Sequence, residues 1–114
     1  METIVSKEFS LFLKTYPDAG KAYIKLFQSV VERPAIDVKT RQLMLIAVMT
    51  AQNYPPGVRA HVSQAVDAGA TREEVLDAVL TPLPVSGING VVECLTTAAD
   101  ELDKYQSKQQ DAVL

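Results

Sequence analysis

The only histidine of this chain, His61, stands inside an apolar helical pattern, just beyond an uncharged stretch that runs from Gln42 to Val58. An imidazole with an ordinary pKa near ~6.5 gives and takes protons at working pH. Among valines and alanines it is either a core histidine, bonded to a carbonyl or to Gln42, or a reactive group held away from bulk water. In the second case its useful act is to protonate a carbanion or dienolate carbon as carbon dioxide leaves, or to relay a proton in a lactone isomerisation. Gln42 has an amide that can orient the imidazole or bind a ligand carbonyl, but it moves no proton at neutral pH.

Two arginines, Arg41 and Arg59, flank the uncharged stretch. A guanidinium fork grips a carboxylate substrate in bidentate fashion. Arg59 lies two residues before His61, roughly on the other side of the same helix, so it reaches a neighbouring subunit's site more readily than its own. The plainer reading of either arginine is a surface or interface salt bridge. Tyr54 offers a phenol near the end of the third helix, as a weak acid or as an aromatic lid with its hydroxyl in water. Cys94 falls beside an apolar stripe and reads as a small buried hydrophobe. Glu73 and Glu74 suit a helix start, where negative charge meets the positive end of the helix dipole. One histidine gives too few ligands for a metal site, and no glycine-rich phosphate loop precedes a helix. No cofactor is expected.

The positions of these groups depend on helices. Apolar residues recur at spacings of three and four almost throughout, and nothing alternates with period two. A first helix is expected over 4–14. It is followed by a second over 18–32, with Tyr23, Ile24, Phe27, Val30 and Val31 inward and Arg33-Pro34 at its end. Asp37 reads as the N-cap of a third helix over 38–53. That helix is apolar all round from Leu43 to Met49, so it needs cover on nearly every side. A domain of 114 residues has little spare surface for that, which predicts a subunit interface at helix three. Pro55-Pro56 opens a fourth helix, with Val58, His61, Val62, Ala65 and Ala68 inward, and Gly69 closes it. Thr71 and Glu74 form a capping-box signature for a fifth, carrying Val75, Leu76, Val79 and Leu80. Residues 82–90 read as a turn. A last helix over 87–107 carries Ile88, Val91, Val92, Leu95, Ala98, Leu102 and Tyr105. The expectation is an all-α, single-domain, six-helix bundle over residues 1–114.

Hydrophobic residues make up 47% of the chain, enough for a core, and charged residues make up 22%. The net charge is −3 and the basic residues are scattered, which argues against nucleic acid and against a polybasic membrane anchor. The uncharged stretch contains Gln52, Asn53 and two prolines and is too short to span a bilayer. Nothing near Met1 reads as a signal peptide. With a single cysteine there is no intramolecular disulfide, no Cys-x-x-Cys pair and no cysteine-built zinc site, so a reducing, cytoplasmic setting is expected.

Three segments in order carry a family resemblance: Asp37-Val-Lys-Thr-Arg-Gln-Leu before the apolar helix, Arg59-Ala-His61, and Ala68-Gly-Ala-Thr-Arg-Glu-Glu-Val. Over residues 17–105 the chain resembles the carboxymuconolactone decarboxylase family, which includes the alkyl-hydroperoxidase D-like (AhpD-like) proteins. The resemblance implies an all-α fold assembled through its central helices as a homo-oligomer, commonly a trimer or hexamer, around small-molecule ligands. One branch of the family uses Cys-x-x-Cys-x-x-x-His with an upstream Glu for thiol-dependent peroxide reduction. Another lacks the cysteines and decarboxylates a lactone acid. Here the cysteine positions fall on Tyr54 and Gly57, the histidine on His61 and the Glu on Gln42. Without a thiolate pair, peroxidase or disulfide-reductase chemistry has no nucleophile. A cofactor-free lyase or isomerase on a carboxylated or lactone-like molecule leads, with His61 and Gln42 catalytic and Arg41, Arg59 and Tyr54 binding substrate. A non-catalytic oligomeric binding module on the same scaffold is the alternative.

Overall fold

The computed structural model describes residues 6–113, with side chains through Tyr105. Those residues form α1 (Lys7–Thr15), α2 (Pro17–Val31), α3 (Val38–Ala51), α4 (Pro55–Asp67), α5 (Arg72–Leu80), the single turn α6 (Leu83–Ser86) and α7 (Ile88–Val113), with no strand among them. The expected start of the first helix at residue 4 lies outside the described residues. The other departure in element order is α6, a helical turn within the stretch read as irregular.

The helix ends follow local chemistry. The Asp37 carboxylate accepts from the Thr40 amide (3.1 Å) and from the Thr40 hydroxyl (2.7 Å), and these bonds hold its pKa below the ordinary value. The Thr71–Glu74 capping box is complete, and Glu74 also receives Lys39 of α3 at 3.0 Å, joining two helix starts. Two helices end in the same six-residue wrap. The Asn53 amide donates to the Thr50 carbonyl and the Tyr54 amide to the Met49 carbonyl. Gly69 and Ala70 do likewise to Val66 and Ala65. This wrap needs a left-handed residue just past the cap. Gly69 takes φ +98° and Asn53 takes +52°, asparagine being among the few side chains that tolerate it. The first wrap sets the turn into α4, and so the height of His61 against α3.

The core lies between α3, α4, α5 and α7. Ile46, Val58, Val62, Val75, Val79, Cys94 and Ala98 are sealed or nearly so. Each large aliphatic among them stabilises by about 1.5–3 kcal/mol relative to exposure. Gly90 lets α7 lie against the end of α3, since a Cβ there would sit 2.2 Å from the Thr50 carbonyl oxygen. That approach turns α7 so that Val91, Cys94, Ala98 and Leu102 face inward. Of the apolar residues this helix carries, Ile88, Val92 and Leu95 lie on the open side. Leu80 of α5 is likewise open.

Helix α3 buries only Gln42, Ile46 and Thr50. Met44 is 49% exposed and Val48 is 53% exposed, so within one chain the outer side of this helix's apolar run has no cover. Helices α1 and α2 form a hairpin whose sole buried residue is Gly20, where Leu13 closes in. All three phenylalanines and two of the four tyrosines lie there. Phe9, Phe12, Tyr16, Tyr23 and Phe27 form a continuous row, with neighbouring ring centroids 5.7 to 6.5 Å apart. Ile24 and Val31 are half-buried, as the inward reading of α2 requires, but Tyr23 and Val30 are open.

Candidate functional site

His61 sits on the second turn of α4 and Gln42 on the first turns of α3. Packing of these two helices brings residues 19 apart in sequence into contact. His61 Nδ1 lies 2.8 Å from Gln42 Oε1, and both side chains are buried, at 6% and 7% exposure. A carbonyl oxygen only accepts, so the imidazole donates from Nδ1. Among the described residues the ring makes no second hydrogen bond. Phe27 of α2 covers the ring with a centroid distance of 6.1 Å and a tilt of 31°. Burial pushes the His61 pKa below its ordinary value, the only resolved cause of its shift. The imidazole is neutral at pH 7.

The other expected site residues are placed less closely. Arg41 donates to the Val30 carbonyl and, at 3.0 Å, to the Arg33 carbonyl, so its guanidinium clasps the C-terminal end of α2. Free carbonyls at a helix end attract a cation. Arg59 is exposed and makes no hydrogen bond or ion pair among the described residues. Tyr54 is 40% exposed and precedes α4 without a side-chain cap bond. Its ring and Met49 close over Gly57, where an added Cβ would meet Met49 Sδ at 2.3 Å and Tyr54 Cδ2 at 2.8 Å. The volume a second side chain would need at residue 57 is already occupied.

Cys94 is sealed against α3. Burial is the largest influence on its thiol and pushes its pKa up, against hydrogen bonds to the Thr50 side chain and the Tyr54 backbone. A sealed, protonated thiol neither attacks peroxide nor exchanges with a disulfide. Among the described residues no group of three His, Cys, Asp or Glu side chains is placed to hold a metal. None of their helices is long and apolar enough to cross a membrane. A cleft of about 470 Å³ lies beside the end of α5, lined by Asp77, Leu80, Thr81, Leu83 and Pro84, and none of the site residues borders it.

Phe27 is the contribution the sequence did not reveal as part of the site. It belongs to the inward stripe of α2, but spacing alone carries no sign of which ring it meets 34 residues later. The buried Ser63, donating to Glu101 at 3.2 Å, forms an unexpected polar pair that joins α4 to α7.

The model of the carboxymuconolactone decarboxylase family matches residues 17–100. A solved structure from Thermotoga maritima superposes with a TM-score of 0.75 at 24% identity, over 93% of this chain and 96% of its own. It is a carboxymuconolactone decarboxylase family protein for which involvement in an antioxidative response has been suggested. At that identity the likeness speaks for the fold. No curated protein matches the chain. The family match spans most of the sequence and includes Gln42, His61 and the Ala68–Val75 turn, and this chain belongs to the carboxymuconolactone decarboxylase family.

Proposed function

We propose that this protein is a cofactor-free lyase or isomerase acting on a small carboxylated or lactone-type molecule. His61 is the proton donor and acceptor, and Gln42 is the group that orients it. The observation that carries this reading is the buried Nδ1 to Oε1 bond, with no second hydrogen bond to the ring among the described residues. A histidine serving only the core is expected to have both ring nitrogens hydrogen-bonded. Tyr54 suits the rim, and Arg59, exposed and unbonded, suits a ligand carboxylate at a neighbouring copy. Arg41 acts through α2, whose last carbonyls it holds. The open apolar residues Met44 and Val48 support self-association across α3, as a trimer or hexamer.

A specific observation also favours the second reading, a non-catalytic oligomeric binding module. Met49 and Tyr54 fill the place beside Gly57 where the thiol-bearing branch has its second cysteine. The antioxidative role suggested for the Thermotoga maritima protein finds little support here, because the chain's one thiol is sealed and held protonated.

The test is a screen of lactones and unsaturated carboxylic acids with the wild type, His61→Ala and His61→Gln. General acid–base catalysis contributes about 10²- to 10⁴-fold, so both variants are expected to lose at least ~100-fold in kcat/KM. Circular dichroism checks that they stay helical. Turnover that survives both substitutions in a folded protein removes His61 from the chemistry and leaves the binding module.

A further inference from the structure

We infer that the α1–α2 hairpin is a hinged lid over His61, and that Arg41 is the positioning residue that latches it shut. The inference rests on His61 being the group a ligand must reach, and it says how the ligand gets there.

Two consecutive residues of α3 act on the imidazole by different routes. Gln42 bonds the ring directly at 2.8 Å. Arg41 reaches α2 instead and donates to the carbonyls of Val30 and Arg33, the second at 3.0 Å. Val30 lies about one turn beyond Phe27, and Phe27 is the side chain over His61, with ring centroids 6.1 Å apart. The guanidinium therefore holds the end of the helix that carries the cover. Among the described residues these two bonds are the only hydrogen bonds between residues 6–33 and the remainder, and no ion pair joins the two parts.

The hairpin is built to move as a unit. Its aromatic row packs α1 on α2, and its one buried residue, Gly20, is closed in by its own Leu13. Lifting the hairpin leaves that packing intact. The other walls of the site do not separate so easily, because Ile46 of α3 and Val58 and Val62 of α4 are sealed core. Parting α3 from α4 would wet them all. A hinge stands at the right place. Pro34, Ala35 and Ile36 are exposed and make no hydrogen bond among the described residues, and Asp37 then caps α3 and begins the rigid part. His61 is 6% exposed, so a ligand that exchanges a proton with it needs a cover to leave. The hairpin is the cover whose departure exposes least apolar surface, and elements of that kind open most readily. Arg41 opposes the opening through charge-assisted bonds to carbonyls at a helix end, which water can replace.

The test uses diethyl pyrocarbonate, which modifies neutral imidazole. His61 is the only histidine, so the ultraviolet change on its modification reports the site alone, without any substrate. The wild type is expected to react far more slowly than N-acetylhistidine, and Arg41→Ala at least ~10-fold faster than wild type, the loss of a bond to a charged group being worth that much. Arg41→Lys, with a charge but no fork, should fall between them. If Arg41 acts through the cover, Arg41→Ala should add less than about 2-fold on a Phe27→Ala background. Amide hydrogen exchange separates a hinge from unfolding. In Arg41→Ala the amides within α1, α2, α3 and α4 should keep their wild-type protection while His61 reactivity rises. Faster exchange in α3 and α4 would make Arg41 a general stabiliser, and faster exchange confined to α1 and α2 would mean fraying rather than hinging. Either overturns the lid, as does an Arg41→Ala protein that reacts like wild type. A wild type that reacts as fast as N-acetylhistidine also overturns it, and leaves the chemistry of His61 to be decided by the substrate screen.

Discussion

The α1–α2 hairpin and the body made of α3, α4, α5 and α7 are both rich in apolar residues, but they use them differently. In the body, apolar stripes from four helices meet and exclude water from Ile46, Val58, Val62 and Val79. In the hairpin, one row of aromatic rings fills the seam between two helices, and Leu11, Leu26 and Val30 face outward with nothing over them. An amphipathic helix shows that it needs a partner without showing where that partner is. The body finds its partners within the chain, whereas the hairpin finds half of one. His61 lies where the regions join. Its ring is anchored by Gln42 from the body and covered by Phe27 from the hairpin. The dryness of the site therefore depends on the less supported region.

The contrast can be broken most forcefully at Ile46, which is fully buried. Truncation of a core isoleucine to alanine costs about 2–5 kcal/mol through lost transfer energy and the cavity left behind. We expect Ile46→Ala to fall in that range by urea unfolding at fixed protein concentration. A cost below about 1 kcal/mol would mean that the body is no better packed than the hairpin, and the distinction between the regions would fail.

Local chemistry made much of this fold legible. Asp37, Pro55-Pro56, Gly69 and the Thr71–Glu74 pair mark helix ends because a cap involves residues only three or four apart, and each stands where it was expected. The facing of α7 was not legible. It carries two adjacent apolar stripes, Ile88–Val92–Leu95 and Val91–Cys94–Ala98–Leu102, and periodicity cannot rank them. A single close approach does, that of Gly90 to the Thr50 carbonyl, and it involves residues 40 apart. The inward face of α2 was half legible for the same reason. Ile24 and Phe27 meet the molecule, Tyr23 packs in the aromatic row while staying 46% exposed, and Val30 is open. At the site, His61 and Gln42 stood out as an imidazole and an amide in apolar helices. Their contact follows from how α3 crosses α4, which no spacing within one helix encodes.

A smaller effect ties the two regions together through pH. Burial holds the His61 pKa below the ~6.5 it has in an unfolded chain. As pH falls below ~6.5, the unfolded chain binds a proton that the folded one resists, so stability from this group is complete above that pH and is lost on the way down to the folded pKa. Asp37 and Glu74 act lower. Their folded pKa values lie below the ordinary carboxylate range, so what they contribute is present above ~4 and is lost under more acidic conditions. Between pH 7.5 and 5 the acid slope of the unfolding free energy should therefore carry a His61 component that His61→Gln lacks. Phe27→Ala should reduce that component by wetting the ring. An unchanged slope in Phe27→Ala would mean that the body alone dries the site.

The smallest expected effect is the most discriminating for the hairpin. Leu26 is 61% exposed on the outer side of α2. Leucine and alanine both favour helix, so Leu26→Ala should change stability by no more than about 0.5 kcal/mol if that side faces water. The same substitution measured at low and high protein concentration asks a sharper question. If another copy covers the hairpin as well as Met44 and Val48 of α3, the lost contact appears only where the assembly forms, and the cost grows with concentration. A cost that is small at every concentration leaves the hairpin an uncovered flap over His61. A cost that grows makes it part of the assembly, and the enclosure of the imidazole then becomes a property of the oligomer rather than of the single chain.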